Sequence, residues 1–329
     1  MIYDYTIIGY GITGMLVLAM LQANNVDISK VCIIDPYFDG GALLREYGNV
    51  ISNTPLSKCI NALKLIKPEY TLPEEYKIYD ETKTTPLHVL AHIIRDFTKN
   101  ITKQVDVIEE YVTYIKKDDI FTVQTNSSEI KSKKIILCQG SKQKTLECEI
   151  PSIPIHVALN KDILSRYVKP TDKVIVFGTA HSGCLVLENL HQLNIQTTAV
   201  YKHDTPFLFA KDGEYDGIKE EAERIANSIL NDEYKNLTFV HSSKIDQLIK
   251  SIRKCDWIVY SIGFNPNKIC SNIDLTKYDK TSGKILETDN AYGFGIAYPS
   301  LAPDSIHVDV GVISFVEHIQ KQIQLLLTN

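Results

Sequence analysis

The feature that most restricts this chain comes at its start. An apolar run, Ile2 to Ile8, leads directly into Gly9-Tyr10-Gly11-Ile12-Thr13-Gly14. A short apolar run ending in glycine reads as a strand buried on both faces of a parallel sheet. Met15 to Gln22 is apolar nearly all round, as a helix lying under such a sheet must be. Val31 to Ile34 is a second buried run and ends at Asp35. Strand, glycine turn, helix and strand make one βαβ unit, so the order predicts an α/β fold.

The residues of this turn have separate duties. Gly9 makes the tight bend, Gly11 lets backbone approach a pyrophosphate, and Gly14 permits close helix–strand packing. Thr13 falls in the first helical turn, whose amide donors and positive dipole end would face the phosphates. Asp35 offers a carboxylate to a ribose diol. Glycine turns also serve plain packing; here strand, turn, helix, strand and acid all come in the order a dinucleotide requires.

The pattern restarts after the polar turn Lys169-Pro170-Thr171-Asp172. A strand over 173–177 is followed by Gly178-Thr179-Ala180-His181-Ser182-Gly183, then by a helix over 184–193 and a strand over 197–201. Ala180 stands where the close-approach glycine belongs, and its methyl group would push a pyrophosphate outward. Either the nucleotide binds a little differently or the turn only packs. His181 and Ser182 read as phosphate donors or as solvated turn residues. With a helix–strand turn two residues shorter than in the first unit, Lys202 replaces the acid and, with His203, favours a 2'-phosphate and hence NADPH. An ungapped count brings Asp204 opposite Asp35 and favours NADH. The strand pattern Thr198-Ala199-Val200-Tyr201 suits the first alignment better.

Between and beyond these units the periodicities predict helices over 56–66, 85–100 and 217–230, and a long amphipathic helix over 310–327. Short strand-like runs at 105–108, 111–116, 120–125 and 134–138 form a β-rich insertion, and 256–262 reads as a further buried strand. The chain has 329 residues, enough for two domains.

The net charge of -5 gives no electrostatic reason for nucleic acid or an anionic membrane as partner, which points to a small-molecule substrate. The longest apolar stretch, Met15 to Leu21, is far short of the roughly 20 residues of a membrane helix. Seven cysteines show no CxxC pair and no metal-ligand spacing. With no leader-like segment before the first strand, they fit a cytoplasmic protein whose thiols act as small core residues.

These motifs together resemble the pyridine nucleotide flavoproteins built from one FAD domain and one inserted NAD(P) domain. Gly178 to Gly183 is similar to the G-x-G-x-S-G turn of their flavin-dependent monooxygenase branch, except at Ala180. Gly40-Gly41-Ala42-Leu43-Leu44-Arg45 resembles the segment that covers the FAD phosphates. Ile135-Ile136-Leu137-Cys138-Gln139-Gly140 resembles the strand ending in A-T-G that closes the first FAD segment. Asp256 to Asn267, with Gly263, resembles D-x-V-I-x-A-T-G-F-x-P-N after the NAD(P) domain.

The resemblance implies a Rossmann-like FAD domain in three layers with a β insertion, formed by 1–150 and 260–329. A second Rossmann-like NAD(P) domain over 151–259 is inserted in it. It implies FAD with NADPH or NADH, and hydride transfer from nicotinamide to flavin, which then reduces oxygen or another acceptor. Two departures stand beside Ala180. The chain lacks the redox cysteine pair of the disulfide-reductase branches, and Gly293-Phe294-Gly295-Ile296 has no acid where many relatives read G-D. They motivate a rival reading, an FAD-binding module without catalysis.

Other candidates are single residues. Cys59 is a flavin-side thiol or a core residue, with its apolar neighbours favouring the core. His88 and His92 stand at i, i+4 without an acidic partner, as on an ordinary helix face. Arg45 and Asn53 are placed near the flavin by position alone. No residue stands out as a general acid or base.

Overall fold

The computed structural model describes residues 1–210, 217–302 and 308–328. The chain divides into two compact units. One comprises Met1–Gly48, Pro55–Lys142 and Pro266–Asn329; the other comprises Asn49–Thr54 and Gln143–Asn265. The chain therefore crosses between the units at 48/49, 54/55, 142/143 and 265/266, the last two against the expected 150/151 and 259/260. The hydrogen bonds explain the shift. The Gln143 side chain donates to the Tyr260 carbonyl and accepts from the Ile155 N–H, both at 2.9 Å. The Lys144 N–H donates to the Gly263 carbonyl at 3.0 Å, so these flanks are tied to the second unit.

In the first unit, parallel strands run in the order Asp106–Ile108, Val31–Ile34, Ile2–Ile8, Glu129–Leu137 and Ala291–Gly293. The strand Glu129–Leu137 is nine residues long, against the expected run over 134–138. Its alternating first half, Glu129-Ile130-Lys131-Ser132, is not an apolar run. That half pairs antiparallel with Phe121–Thr125, while the apolar second half pairs with Ala291–Gly293. The period of two divides the core. Tyr5, Ile7, Val31 and Ile33 join the helices Ile12–Ala23, Leu56–Ile66, Leu87–Thr102 and Val312–Thr328 in one cluster. Ile8, Cys32 and Ile34 pack with Ile115, Phe121 and Val123 in another. Each helix–sheet or sheet–strand layer thus buries side chains worth about 1.5–3 kcal/mol apiece. The helix Ile12–Ala23 buries all its residues from Gly14 to Leu21, which explains its lack of a polar face.

The second unit has its own sheet of five parallel strands. Their order is Ser152–Ile153, Trp257–Tyr260, Lys173–Phe177, Gln196–Tyr201 and Leu237–His241. The last of these carries Thr238 and His241 among its apolar residues, so periodicity did not single it out. The helix His181–Gln192 begins three residues before the expected start, because the end of the glycine turn is already helical. Among the described residues, no helix is long and apolar enough to cross a membrane.

Candidate functional site

The first glycine turn separates residues the fold itself requires from one it does not. Gly9 has φ +97°, and a β-carbon there would lie 2.3 Å from the Cys138 carbonyl oxygen. A β-carbon on Gly14 would lie 2.1 Å from the Gly9 carbonyl oxygen. Gly11 is different. Its φ of -75° and ψ of -169° suit any residue, and its β-carbon would meet Gly41 Cα at an ordinary 3.7 Å. Glycine at position 11 only keeps space open beside the helix start, where the N–H groups of Ile12, Thr13 and Gly14 lack intrahelical acceptors. That space and those donors fit a pyrophosphate.

Several expected residues converge on this turn. A β-carbon on Gly41 would come within 2.8 Å of Gly11 Cα, so the Gly40-Gly41 segment touches the turn backbone to backbone. A β-carbon on Gly295 would meet the Thr13 hydroxyl at 2.3 Å, which brings the loop after Ala291–Gly293 against the helix start. Gly140 follows the neighbouring strand, whose Cys138 N–H donates to the Ile8 carbonyl at 2.7 Å. Beside it, the Gln139 side-chain carbonyl is buried without a partner. Arg45 instead pairs with Asp39 at 2.7 Å and lies 4.3 Å over the Tyr37 ring.

Asp35 is buried and already engaged. One carboxylate oxygen accepts the Tyr10 N–H at 2.7 Å; the other accepts the Tyr37 and Phe38 N–H groups at 2.9 and 3.0 Å. A carboxylate has about four acceptor positions, so roughly one remains for a ribose hydroxyl. The acid fastens the turn to the next loop. Sequence reasoning did not single out Tyr10, Tyr37 and Phe38. Tyr37 turns to Tyr111, ring centroids 5.9 Å apart, and Phe38 turns to Tyr10 at 5.1 Å. The available signal was the aromatic pair that follows the acid directly.

The second turn repeats the first in its dihedral angles. Gly178 has φ +96°, and its β-carbon would lie 2.2 Å from the Ser261 carbonyl oxygen. A β-carbon on Gly183 would lie 2.2 Å from the Gly178 carbonyl oxygen. Ala180 has φ -76° and ψ -168°, within about a degree of Gly11, and is exposed and unstrained. Its methyl group therefore affects only what approaches from outside.

Two side chains differ from expectation. Ile8 is paired with Ile34 just before Asp35, whereas Phe177 is paired with Val200 just before Tyr201. The register thus sets Tyr201 in the acid's place and exposed Lys202 one residue further on, because the strand begins at Gln196. His181 Nε2 faces the Ile51 carbonyl at 3.4 Å, while Nδ1 is buried without a partner. Burial holds the pKa of this imidazole below its ordinary value. The ring is thus turned toward the Ile51 carbonyl, and its neighbour Ser182 is half-buried. Gly263 belongs to this second unit, its carbonyl accepting the Lys144 N–H.

All seven cysteines are free. Cys59 is a core residue whose thiol is pushed by burial to about 12. His88 Nδ1 donates to the Gly48 carbonyl at 2.9 Å.

Two sheets built on parallel strands, each with a glycine-containing turn of the same conformation before a helix, place the chain in the class of α/β folds with two Rossmann-like units. The comparisons agree with this class. The chain is 25% identical to Monooxygenase AgnR1 of Paecilomyces divaricatus, over 96% of this chain and 95% of that protein. Among solved structures it is similar to the bacillithiol disulfide reductase Bdr (YpdA) of Staphylococcus aureus, with a TM-score of 0.65 at 16% identity over 99% of this chain and 98% of that one. It is also similar to the cadaverine monooxygenase DfoA of Erwinia amylovora, solved with FAD, with a TM-score of 0.63 at 11% identity over 99% and 94%. Thioredoxin reductase of Lactococcus lactis gives a TM-score of 0.62 at 14% identity over 99% and 100%. No protein-family model matches the chain.

Proposed function

We propose that the chain is an NAD(P)H-dependent, FAD-containing oxidoreductase of the monooxygenase-like kind, acting on a small molecule. The observation that carries this reading is Gly11, a glycine that neither backbone conformation nor internal packing requires. A pyrophosphate approaching the helix start supplies the missing reason. In this reading, the first-turn amides hold the FAD pyrophosphate, and Asp35 keeps the turn in place while accepting from the adenosine ribose. Gly40, Gly41, Gly140 and Gly295 let backbone pass close to the cofactor. FAD, when bound, supplies two-electron chemistry between a nicotinamide nucleotide and oxygen or another acceptor.

The second turn holds the nicotinamide nucleotide through the main-chain N–H groups of His181, Ser182 and Gly183. Exposed Lys202 offers a cation to a 2'-phosphate, which favours NADPH over NADH. The monooxygenase-like branch is preferred to disulfide reduction because the seven free thiols include no CxxC pair and Cys59 is a buried, protonated core residue.

The test is spectroscopic. Purified protein should show flavin absorption, and anaerobic NADPH should bleach it faster than NADH. Colourless protein that takes up no added FAD would refute the flavin assignment. Yellow protein that neither nucleotide bleaches would leave a non-catalytic FAD-binding module.

A further inference from the structure

A cleft of about 380 Å³ lies in the first unit, behind the first glycine turn. Small-molecule sites span on the order of 300–1,000 Å³, so its size suits one or two rings. Its apolar lining is Tyr10, Met15 and Phe38, and the Tyr10 and Phe38 rings lie 5.1 Å apart. Its opposite wall is the last half of the helix Leu87–Thr102. That wall carries Arg95 and Lys99 at i and i+4, with Lys103 at the helix C-cap, all exposed and all lining the cleft. The Tyr10 and Thr102 hydroxyls meet beside them.

The charges do not neutralise one another. Asp96 is the single acid of the lining, and its carboxylate accepts the Tyr76 hydroxyl at 2.5 Å. Like charges one helical turn apart oppose helix stability. The helix dipole favours cations at this end, which explains the sign of Lys99 and Lys103. It does not explain why three cations should rim an aromatic cavity. A surface that places several cations beside apolar rings fits a ligand with an acid group on an apolar body.

Nor is this the nucleotide position over again. Gly11 and the helix-start amides are not part of the lining. The consecutive residues Tyr37 and Phe38 part company, Tyr37 meeting Tyr111 and Phe38 meeting Tyr10 over the cleft. We infer that this cleft is a second ligand site, for a small aromatic or short acyl anion bearing a carboxylate or phosphate. Arg95, Lys99 and Lys103 bind the acid group, and Tyr10, Met15 and Phe38 hold the apolar body.

Phenyl phosphate is a suitable probe, with benzyl alcohol as its uncharged counterpart, each titrated calorimetrically into the purified protein. Phenyl phosphate should bind saturably, with a dissociation constant below about 1 mM, and benzyl alcohol at least about tenfold more weakly. Arg95→Glu and Lys99→Glu should each weaken phenyl phosphate at least about tenfold, since each replaces an attracting charge by a repelling one. Lys64→Glu, on another helix, should leave it unchanged. Gly11→Val should retain phenyl phosphate binding whether or not that variant keeps flavin, which separates this site from the nucleotide reading. No saturable binding, equal binding of the alcohol, or affinity unmoved by Arg95→Glu and Lys99→Glu would overturn the proposal. Loss of binding in a folded Gly11→Val variant would overturn it too, by placing the probe on the glycine turn.

Discussion

The main-chain N–H of Tyr10 donates to the Asp35 carboxylate at 2.7 Å, across 25 residues of sequence. The first glycine turn is therefore fastened to the end of the next strand. The same carboxylate takes the Tyr37 and Phe38 N–H groups, so three backbone donors depend on one buried side chain. Asp35→Ala should leave them without their acceptor and cost about 1–3 kcal/mol. A lower midpoint in urea unfolding, together with weaker FAD retention, is the expected result. Unchanged stability would contradict the fastening role.

The glycines of the turn should separate into two classes. Gly14→Ala forces a β-carbon onto the Gly9 carbonyl and should destabilise by about 1–3 kcal/mol or prevent folding. Gly11→Val replaces a residue with ordinary dihedral angles, so it should fold but lose FAD. Circular dichroism and the flavin absorption of the purified variants distinguish the two outcomes. A folded Gly11→Val protein that is still yellow would remove the reason given for this glycine.

Ala180 occupies the position of Gly11 in the second turn without strain. Ala180→Gly should therefore change thermal stability little, while lowering KM for NADPH several-fold at similar kcat. That split marks an effect on nucleotide approach. A Tm loss without any KM change would instead make the methyl group structural.

Buried groups set two limits on the pH range of stability. Burial pushes the Cys32, Cys59 and Cys184 thiols to about 12 and Cys255 to about 11. These thiols hold protons more tightly folded than unfolded. Their contribution is full below the unfolded thiol value, about 8.5, and is lost as pH rises toward the folded values. His181 and His318 are shifted the other way, their pKa values lowered by burial. Stability should fall below pH about 6.5, where the unfolded imidazoles take up protons that the folded ones resist. Urea midpoints should thus be highest between these limits, declining at pH 5.5 and at pH 10. A midpoint rising from pH 8 to pH 10 would contradict the thiol assignment.

Exposure sorts the cysteines for modification. Iodoacetamide on native protein should label exposed Cys148 and Cys270 and spare Cys59, whose thiol stays protonated. Peptide mass spectrometry reads this directly. Labelling of Cys59 at a comparable rate would reopen a redox role for it.

The sequence by itself determined the class of fold and the place of both turns. Strand periodicity and glycine spacing are local properties, and Ile2 to Gly14 states both within a few residues. It also located Asp35, Gly41 and Gly295, since each stands at the end of a recognisable segment. What it did not contain was register and packing between segments remote in the chain. Tyr201, the last residue of its strand, rather than Lys202, comes directly after Val200, the partner of Phe177, because hydrogen-bond register between strands fixes that position. Gln143 settles the unit boundary by bonding to Tyr260 and Ile155, and no local pattern announces such bonds. The commitment of Asp35 to three backbone donors, and the meeting of Tyr10 with Phe38 behind the turn, are likewise tertiary facts. Local rules decide which residues can make a turn, while only the folded chain decides which of their hydrogen bonds are already taken.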